Sequence, residues 1–177
     1  MKKLICILLS ALMLLSIAAF VGCDKTPDEQ PALKMGLGVY TSTPTVTDAT
    51  EEKDGSNQVE TTVFAAAVDA NGKVLTAASD CVQVKFTFNQ AGASTFDTTK
   101  AIASKREQGA NYGMVAWGGA AKEWFEQADA FNALCVGKTA TEIVALCAAD
   151  NYGTDEVKAA GCTVLVSGLT KAAAKIG

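Results

Sequence analysis

Two neighbouring stretches of the chain alternate between hydrophobic and polar residues in the way that is typical of paired β-strands. Residues 58–69 (QVETTVFAAAVD) and 73–89 (KVLTAASDCVQVKFTFN) are rich in β-branched and aromatic residues and are joined through Ala70-Asn71-Gly72. Asn-Gly supplies the positive φ angles that a tight turn requires. The pattern therefore predicts a long antiparallel β-hairpin over residues 58–89.

The second arm of this hairpin separates apolar from polar side chains. Because successive side chains of a strand point to opposite faces, the alternation predicts a buried face and a solvated face. The apolar set, which we assign to the core, is Val82, Val84, Phe86 and Phe88, and the polar set is Gln83, Lys85 and Thr87. Pairing about the turn further predicts two cross-strand neighbours, Val68 with Leu75 and Ala66 with Ala77.

The elements on either side of the hairpin complete the predicted architecture. A first strand is expected over residues 35–45, followed by a charged loop at residues 48–57. Helices are expected over residues 98–108, 120–135, 139–148 and 169–176, with a β-rich stretch at residues 162–166. The fold class predicted is α+β, an antiparallel sheet built on the 58–89 hairpin and covered on one face by helices of the C-terminal half.

The start of the chain carries an export signal rather than part of the fold. Lys2 and Lys3 precede an apolar run that ends at Gly22-Cys23, as in signal peptides. Phe20-Val21-Gly22-Cys23 resembles the bacterial lipobox, which implies cleavage before Cys23 and a diacylglycerol on its sulfur. A plain secretory signal and an uncleaved anchor are the alternatives. We therefore expect a signal peptide at residues 1–22, a tether at 23–34 and one globular domain at 35–177.

The signal peptide and the lipobox-like sequence predict an extracytoplasmic protein that is anchored in the membrane of a bacterial cell through lipid on Cys23. Removal of the two signal lysines leaves thirteen basic residues against nineteen acidic ones, a net charge of −6. An acidic protein is a poor match for nucleic acid, so nucleic acid is not expected among its partners.

The residues that usually carry metal binding and catalysis are scarce. The chain has no histidine, so no metal site is predicted and the Ser-His and Cys-His nucleophile arrangements are excluded. Glu123 and Glu126 lie three residues apart and are interpreted as a solvated helix face rather than an acid-base pair. No catalytic residue is named, and the protein is not expected to be an enzyme. Disulfides remain open in number and pairing among Cys81, Cys135, Cys147 and Cys162.

A glycine-bearing loop at residues 109–119 supplies the candidate binding residues. Tyr112, Met114 and Trp117 lie in this loop and Lys122 follows it. Loops are where binding residues concentrate, so these four residues are predicted to contact a small aromatic ligand. Helical spacing places Trp124 and Phe131 in the core instead.

The motifs of the second half resemble those of a group of uncharacterised lipoproteins from anaerobic Firmicutes and their relatives. The resemblance rests on Tyr112-Gly113-Met114, Lys122-Glu123-Trp124, Glu126-Gln127-Ala128 and Val136-Gly137-Lys138-Thr139. A more remote similarity is to the FMN-binding domain family, through Asn71-Gly72-Lys73 and the segment from Glu156 to Leu165. In that family a hydroxyl takes the flavin phosphate covalently, and the matching residue here is Leu165, which has none.

The resemblance implies a domain of that general type without covalent flavin, and the stretch AAGCTVLVSG at residues 159–168 is expected to be either a degenerate attachment segment or an ordinary β-strand. The function expected is a non-catalytic lipoprotein that binds a small aromatic, flavin-like ligand or a membrane redox protein. The one cofactor considered is non-covalent FMN. The alternatives are an FMN-carrying electron-transfer protein and a purely structural or interaction protein of the cell surface.

Overall fold

Three long strands form an antiparallel sheet in the order β1-β2-β3. The computed structural model describes residues 33–176. The strands are β1 (Lys34–Thr47), β2 (Gly55–Val68) and β3 (Val74–Phe88). The signal peptide, Cys23 and the tether as far as residue 32 lie outside the described residues, so those expectations stay predictions. Within residues 33–176 no helix has the length and apolarity that a membrane crossing requires.

The turn between β2 and β3 has the predicted position but a different register. Gly72 adopts a φ of 76°, and the Asp69 carboxylate accepts hydrogen bonds from the amides of Asn71 and Lys73 at 2.9 and 2.8 Å. Ala66 pairs with Ala77 as predicted, whereas Val68 pairs with Val74 and not with Leu75. The predicted Val68–Leu75 pair is wrong because a β-bulge next to the turn leaves Leu75 as an extra residue.

Within residues 33–176 five short helices follow the sheet, so the α+β class and the placing of the helices in the C-terminal half are confirmed. They are α1 (Lys105–Gln108), α2 (Trp124–Cys135), α3 (Ala140–Val144), α4 (Asp155–Ala159) and α5 (Ser167–Ala173), with a 3-10 turn at Gly109–Tyr112. Most are shorter than predicted. The predicted helix at residues 98–108 is reduced to α1, because the chain before Ser104 runs without regular structure along the end of β3.

The face of the sheet that packs against the helices is the opposite of the face that the alternation predicts to be buried. The buried face of β3 carries Ala77, Ser79 and Cys81, which pair with Ala66, Phe64 and Thr62 of β2. Val82 and Val84 lie on the other face and are only half-buried. The core assignment of Val82, Val84, Phe86 and Phe88 is therefore wrong.

The physical reason is that polar groups of the buried face find partners in the helices. The Ser79 hydroxyl donates to the Asn132 side-chain oxygen of α2 at 2.9 Å, and a buried polar group that is hydrogen-bonded costs little. We call the sheet surface that faces away from the helices the open face. Its exposed apolar side chains are Met35, Leu37, Val39, Val46 and Phe86.

The segment at residues 159–168 is not a strand, and the predicted β-rich stretch at residues 162–166 is likewise wrong. The chain leaves α4, turns at Gly161 with a φ of 97°, and runs irregularly until α5 begins at Ser167. Its one bridge joins Leu165 to Tyr152. Hydrogen bonds to the surrounding loops and helices, rather than to a neighbouring strand, hold this segment in place.

Candidate functional site

Helix α1 is only one turn long but is firmly fixed to the sheet. Ser104 and Glu107 form a capping box, with side-chain to backbone bonds of 3.1 and 2.7 Å. Arg106 ties the helix to its neighbours, since its guanidinium donates to the Ser79 carbonyl at 2.8 Å and to the Asp129 carboxylate at 2.6 Å. This attachment directs the preceding residue, Lys105, into the space between the sheet and the C-terminal segments.

Lys105 is a buried lysine, with 8% of its surface exposed. Its ammonium lies 3.6 Å from the Glu60 carboxylate of β2. It also lies 5.2 Å from the centre of the Tyr112 ring and 5.6 Å from that of Trp124, within the range of cation–π attraction. Lysine is almost never buried unless it is paired. The Glu60 carboxylate and the two aromatic rings are the groups that stabilise this buried ammonium.

The charge of Lys105 is maintained at neutral pH. Burial disfavours the ammonium, but the acidic groups of Cys81, Tyr112 and Glu60 favour it more, so the pKa of Lys105 is raised above its usual value. Burial also raises the pKa of the Cys81 thiol and outweighs the opposite effect of Lys105. At pH 7 the site therefore contains an ammonium beside a neutral thiol, and the Glu60 carboxylate lies next to that ammonium.

Two cavities meet at this lysine and together form what we call the Lys105 cleft. One has a volume of about 370 Å³ and the other about 330 Å³. Four residues line both of them: Glu60, Lys105, Trp124 and Leu165. The cleft is large enough for a ligand of several rings.

The lining of the cleft is aromatic and carries a local excess of positive charge. All three tyrosines of the chain line it, and Trp124 joins them; the tyrosines are Tyr40, Tyr112 and Tyr152. Its ionisable basic residues are Lys105 and Lys171, against the single carboxylate of Glu60. Lys171 donates to the Tyr40 hydroxyl at 3.2 Å. The Lys105 cleft is thus lined by aromatic rings and carries a local positive charge, although the chain as a whole has a formal net charge of −4.

The loop that carries Met114 is held in place by a buried carboxylate. Glu123, with 6% of its surface exposed, accepts hydrogen bonds from the amides of Met114 and Val115 at 2.9 and 3.1 Å. Its own amide donates to Glu126 at 2.8 Å, as in a capping box at the start of α2. The interpretation of Glu123 as part of a solvated face is therefore wrong, because its carboxylate is buried and accepts hydrogen bonds from the two loop amides.

The segment at residues 159–168 forms one wall of the cleft. The buried side chain of Gln127 accepts hydrogen bonds from the Thr163 amide at 2.8 Å and from its hydroxyl at 3.0 Å. Thr163, Val164 and Leu165 consequently face the first cavity, and Leu165 and Ser167 face the second.

The four predicted ligand-binding residues are divided by the structure. Tyr112 and Met114 line the cleft, and the Tyr112 hydroxyl donates to Gln83 at 3.0 Å. Trp117 and Lys122 are not among the lining residues of either cavity, and 88% of the Trp117 surface is exposed. Sequence reasoning missed Lys105, Glu60, Tyr40 and Tyr152, and the capping box at Ser104 was the available signal that a helix begins beside Lys105.

Two further hollows of the described residues lack a buried lysine of this kind. A hollow of about 470 Å³ lies between β3 and residues 95–103, and one of about 540 Å³ lies beside α3 and α4. The charged side chains at the first, Lys85, Asp97 and Lys100, are exposed. Among residues 33–176 no group of three or more His, Cys, Asp or Glu side chains is placed to hold a metal ion. The thiols of the four cysteines in this range are free.

Comparison with known proteins adds no relative. No protein-family model, curated protein or solved structure matches the chain.

Proposed function

We propose that the chain is a lipid-anchored, extracytoplasmic, non-catalytic protein whose domain binds a small planar aromatic ligand that carries an anionic group. The Lys105 cleft is the binding site in this proposal. The observation that carries it is the buried Lys105 ammonium within cation–π distance of both the Tyr112 and the Trp124 ring, where two cavities meet. A flavin-like compound such as FMN, with a fused ring and a phosphate, fits this chemistry.

The arrangement favours binding over catalysis. Glu123 is engaged by two amides, burial keeps the Cys81 thiol neutral, and the ammonium of Lys105 keeps its proton. An anionic group of the ligand competes with Glu60 for Lys105 and gains a charge-assisted contact, which is among the stronger polar interactions. The rings of the cleft offer stacking and edge contacts to a planar body.

The experiment is a titration of the purified mature protein with FMN and with riboflavin, which lacks the phosphate, followed by flavin fluorescence. We expect FMN to bind more tightly than riboflavin. Lys105→Gln is expected to weaken FMN binding by roughly 10- to 100-fold, the value of a hydrogen bond to a charged group. Glu60→Gln is expected to strengthen it, because the competing carboxylate is removed.

The matched control is Lys122→Gln, which removes an exposed lysine that does not line the cleft. FMN binding to this variant is expected to equal that of the parent. Equal affinity of the parent for FMN and riboflavin, or unchanged FMN binding by Lys105→Gln, would contradict the proposed role of Lys105. Absence of any flavin binding would favour a membrane redox partner or a purely structural surface protein instead.

A further inference from the structure

The open face of the sheet is nearly free of charge and rich in apolar side chains. Met35 and Leu37 of β1 are 75% and 64% exposed, and Phe86 of β3 is 40% exposed. Within the described strands its ionisable residue is Asp80, whose carboxylate already accepts hydrogen bonds from the amides of Cys81 and Arg106. Contiguous exposed apolar surface of this kind marks an interaction site in soluble domains.

We propose that the open face is the contact surface between two copies of this chain, stacked face to face with their strands antiparallel. The side-chain types on this face, mainly Val, Ala, Leu, Phe and Thr, are those of the interior of a β-sandwich. Two such faces pack about 10 Å apart and bury each other's side chains.

The area of the face suits a dimer. Three strands of 14 or 15 residues present roughly 650 Å² at about 3.3 Å per residue and about 4.8 Å between strands. Two copies would therefore bury about 1,300 Å², within the range of stable protein interfaces.

The charges at the two ends of the sheet select the antiparallel arrangement. The β1–β2 loop contains four carboxylates and one lysine: Asp48, Glu51, Glu52, Asp54 and Lys53. The opposite end, at the β2–β3 turn and the start of β1, contains Lys34, Lys73 and Asp69. Antiparallel stacking places the acidic loop of one copy over the more basic end of the other, whereas parallel stacking would oppose like charges.

The same charges disfavour a bilayer as the occupant. Anionic lipid headgroups repel an acidic rim and attract clustered lysine and arginine, which the loop end of this face does not offer. The Lys105 cleft lies on the helix side of the sheet, so both clefts of the dimer stay accessible to ligand.

The test is performed on the full chain in membranes, with cross-linking at the centre of the face. Thr61 lies midway along the central strand and faces Thr41 and Val82 across the sheet. In the proposed dimer the two copies of this position lie close to the two-fold axis. Thr61→Cys is expected to form a covalent dimer with a bis-maleimide that spans about 10 Å. Val144→Cys, an exposed site on α3, is the control and is expected to give no dimer although its side chain is the more accessible of the two.

Substitutions on the face then identify the surface. Leu37→Lys is expected to reduce the cross-linked fraction of Thr61→Cys at least tenfold, because it buries an unpaired charge. The cross-linked fraction is also expected to fall in the double variant Lys34→Glu/Lys73→Glu, which removes the basic charges at one end of the sheet. The matched double variant Lys122→Glu/Lys158→Glu changes two lysines on the helix side and is expected to leave the cross-linked fraction unchanged.

Dimerisation that survives Leu37→Lys, or no cross-link at position 61, would overturn the proposal. Labelling of Thr61→Cys by a thiol-reactive lipid probe within the bilayer, in place of cross-linking, would overturn it in favour of a membrane-facing surface. Because none of these readouts uses flavin, failure here is distinguishable from failure of the ligand-binding proposal.

Discussion

Gly38 of β1 lies directly against the backbone of Ala172 in α5. A Cβ atom at position 38 would overlap the Ala172 carbonyl oxygen and would lie 2.8 Å from its carbonyl carbon. The absence of a side chain at this position allows the last helix to pack onto the first strand, which joins the two ends of the described chain.

Gly38→Ala is therefore expected to lower the free energy of unfolding by about 1 to 3 kcal/mol, the usual cost of overpacking. Chemical denaturation of parent and variant measures this difference. Thr43→Ala, at an exposed position of the same strand, is the control and is expected to change stability by less than about 0.5 kcal/mol. Equal effects of the two substitutions would show that the contact with Ala172 does not constrain the fold.

The two tryptophans are expected to differ sharply in their contribution to stability. Trp124 is 5% exposed and packs with Cys81 and Ala128, whereas Trp117 is 88% exposed. Trp124→Ala is expected to cost about 3 to 5 kcal/mol, as for other large aromatic residues in cores, and Trp117→Ala less than about 0.5 kcal/mol. Thermal or urea unfolding of both variants provides the measurement, and similar losses would argue against the burial of Trp124.

The stability of the domain is expected to fall in alkaline solution because of Cys135. Burial raises the pKa of this thiol from 9.0 to about 12, so between these values the unfolded chain releases a proton that the folded chain retains. The contribution of this thiol is fully present below pH 9.0 and is lost as the pH approaches 12, with a slope of up to about 1.4 kcal/mol per pH unit.

Comparison of parent and Cys135→Ala isolates this effect from the titration of other groups. We expect the variant, although less stable at pH 7, to lose less stability than the parent between pH 9 and pH 11. Parallel stability curves would mean that Cys135 titrates normally in the folded protein.

Lipid attachment is predicted at Cys23. A Cys23→Ala variant is expected to remain an unprocessed precursor without acyl label, because lipobox processing depends on the modified cysteine. Metabolic labelling with a fatty acid, together with the size of the product, provides the measurement. A variant that is cleaved and labelled like the parent would disprove the assignment.

Covalent flavin is not expected on the segment at residues 159–168. Leu165 has no hydroxyl for a phosphoester, and its side chain lies at the cleft rim with 55% exposure. Mass spectrometry of the denatured, exported protein is therefore expected to show no FMN increment. Because Thr163 and Ser167 also face the cleft, an increment that maps to either residue would instead support the electron-carrier alternative.

The sequence predicted the hairpin and α2 because their signals are local. Asn71-Gly72 fixes the turn, and the spacing of Trp124, Phe131 and Cys135 fixes a helix face that is indeed buried. The choice of buried sheet face could not be predicted in this way. Both faces of β3 carry small or apolar residues, and Ser79 is buried because Asn132, 53 positions away, meets it.

The cleft was predictable only through its loop. Tyr112 and Met114 stand in a glycine-bearing segment, which local composition marks as a binding loop. Lys105 and Glu60 are ordinary surface residues by type, and they form a pair of a buried lysine and a half-buried carboxylate only when α1 is attached to β3 by Arg106. Tyr40 and Tyr152 are far apart in the sequence, and only the folded chain brings both of them to the cleft that Lys105 and Glu60 line.

The double role of Glu123 bears on how the site opens. The Glu123 carboxylate accepts hydrogen bonds from the amides of Met114 and Val115, and its backbone amide donates to Glu126 in the first turn of the helix that carries Trp124. Movement of the loop away from the cleft therefore breaks two hydrogen bonds to the N-cap residue of α2. The amide hydrogens of Met114 and Val115 are therefore expected to exchange with solvent at a rate set by the breaking of these two bonds, and a ligand bound in the cleft is expected to slow that exchange.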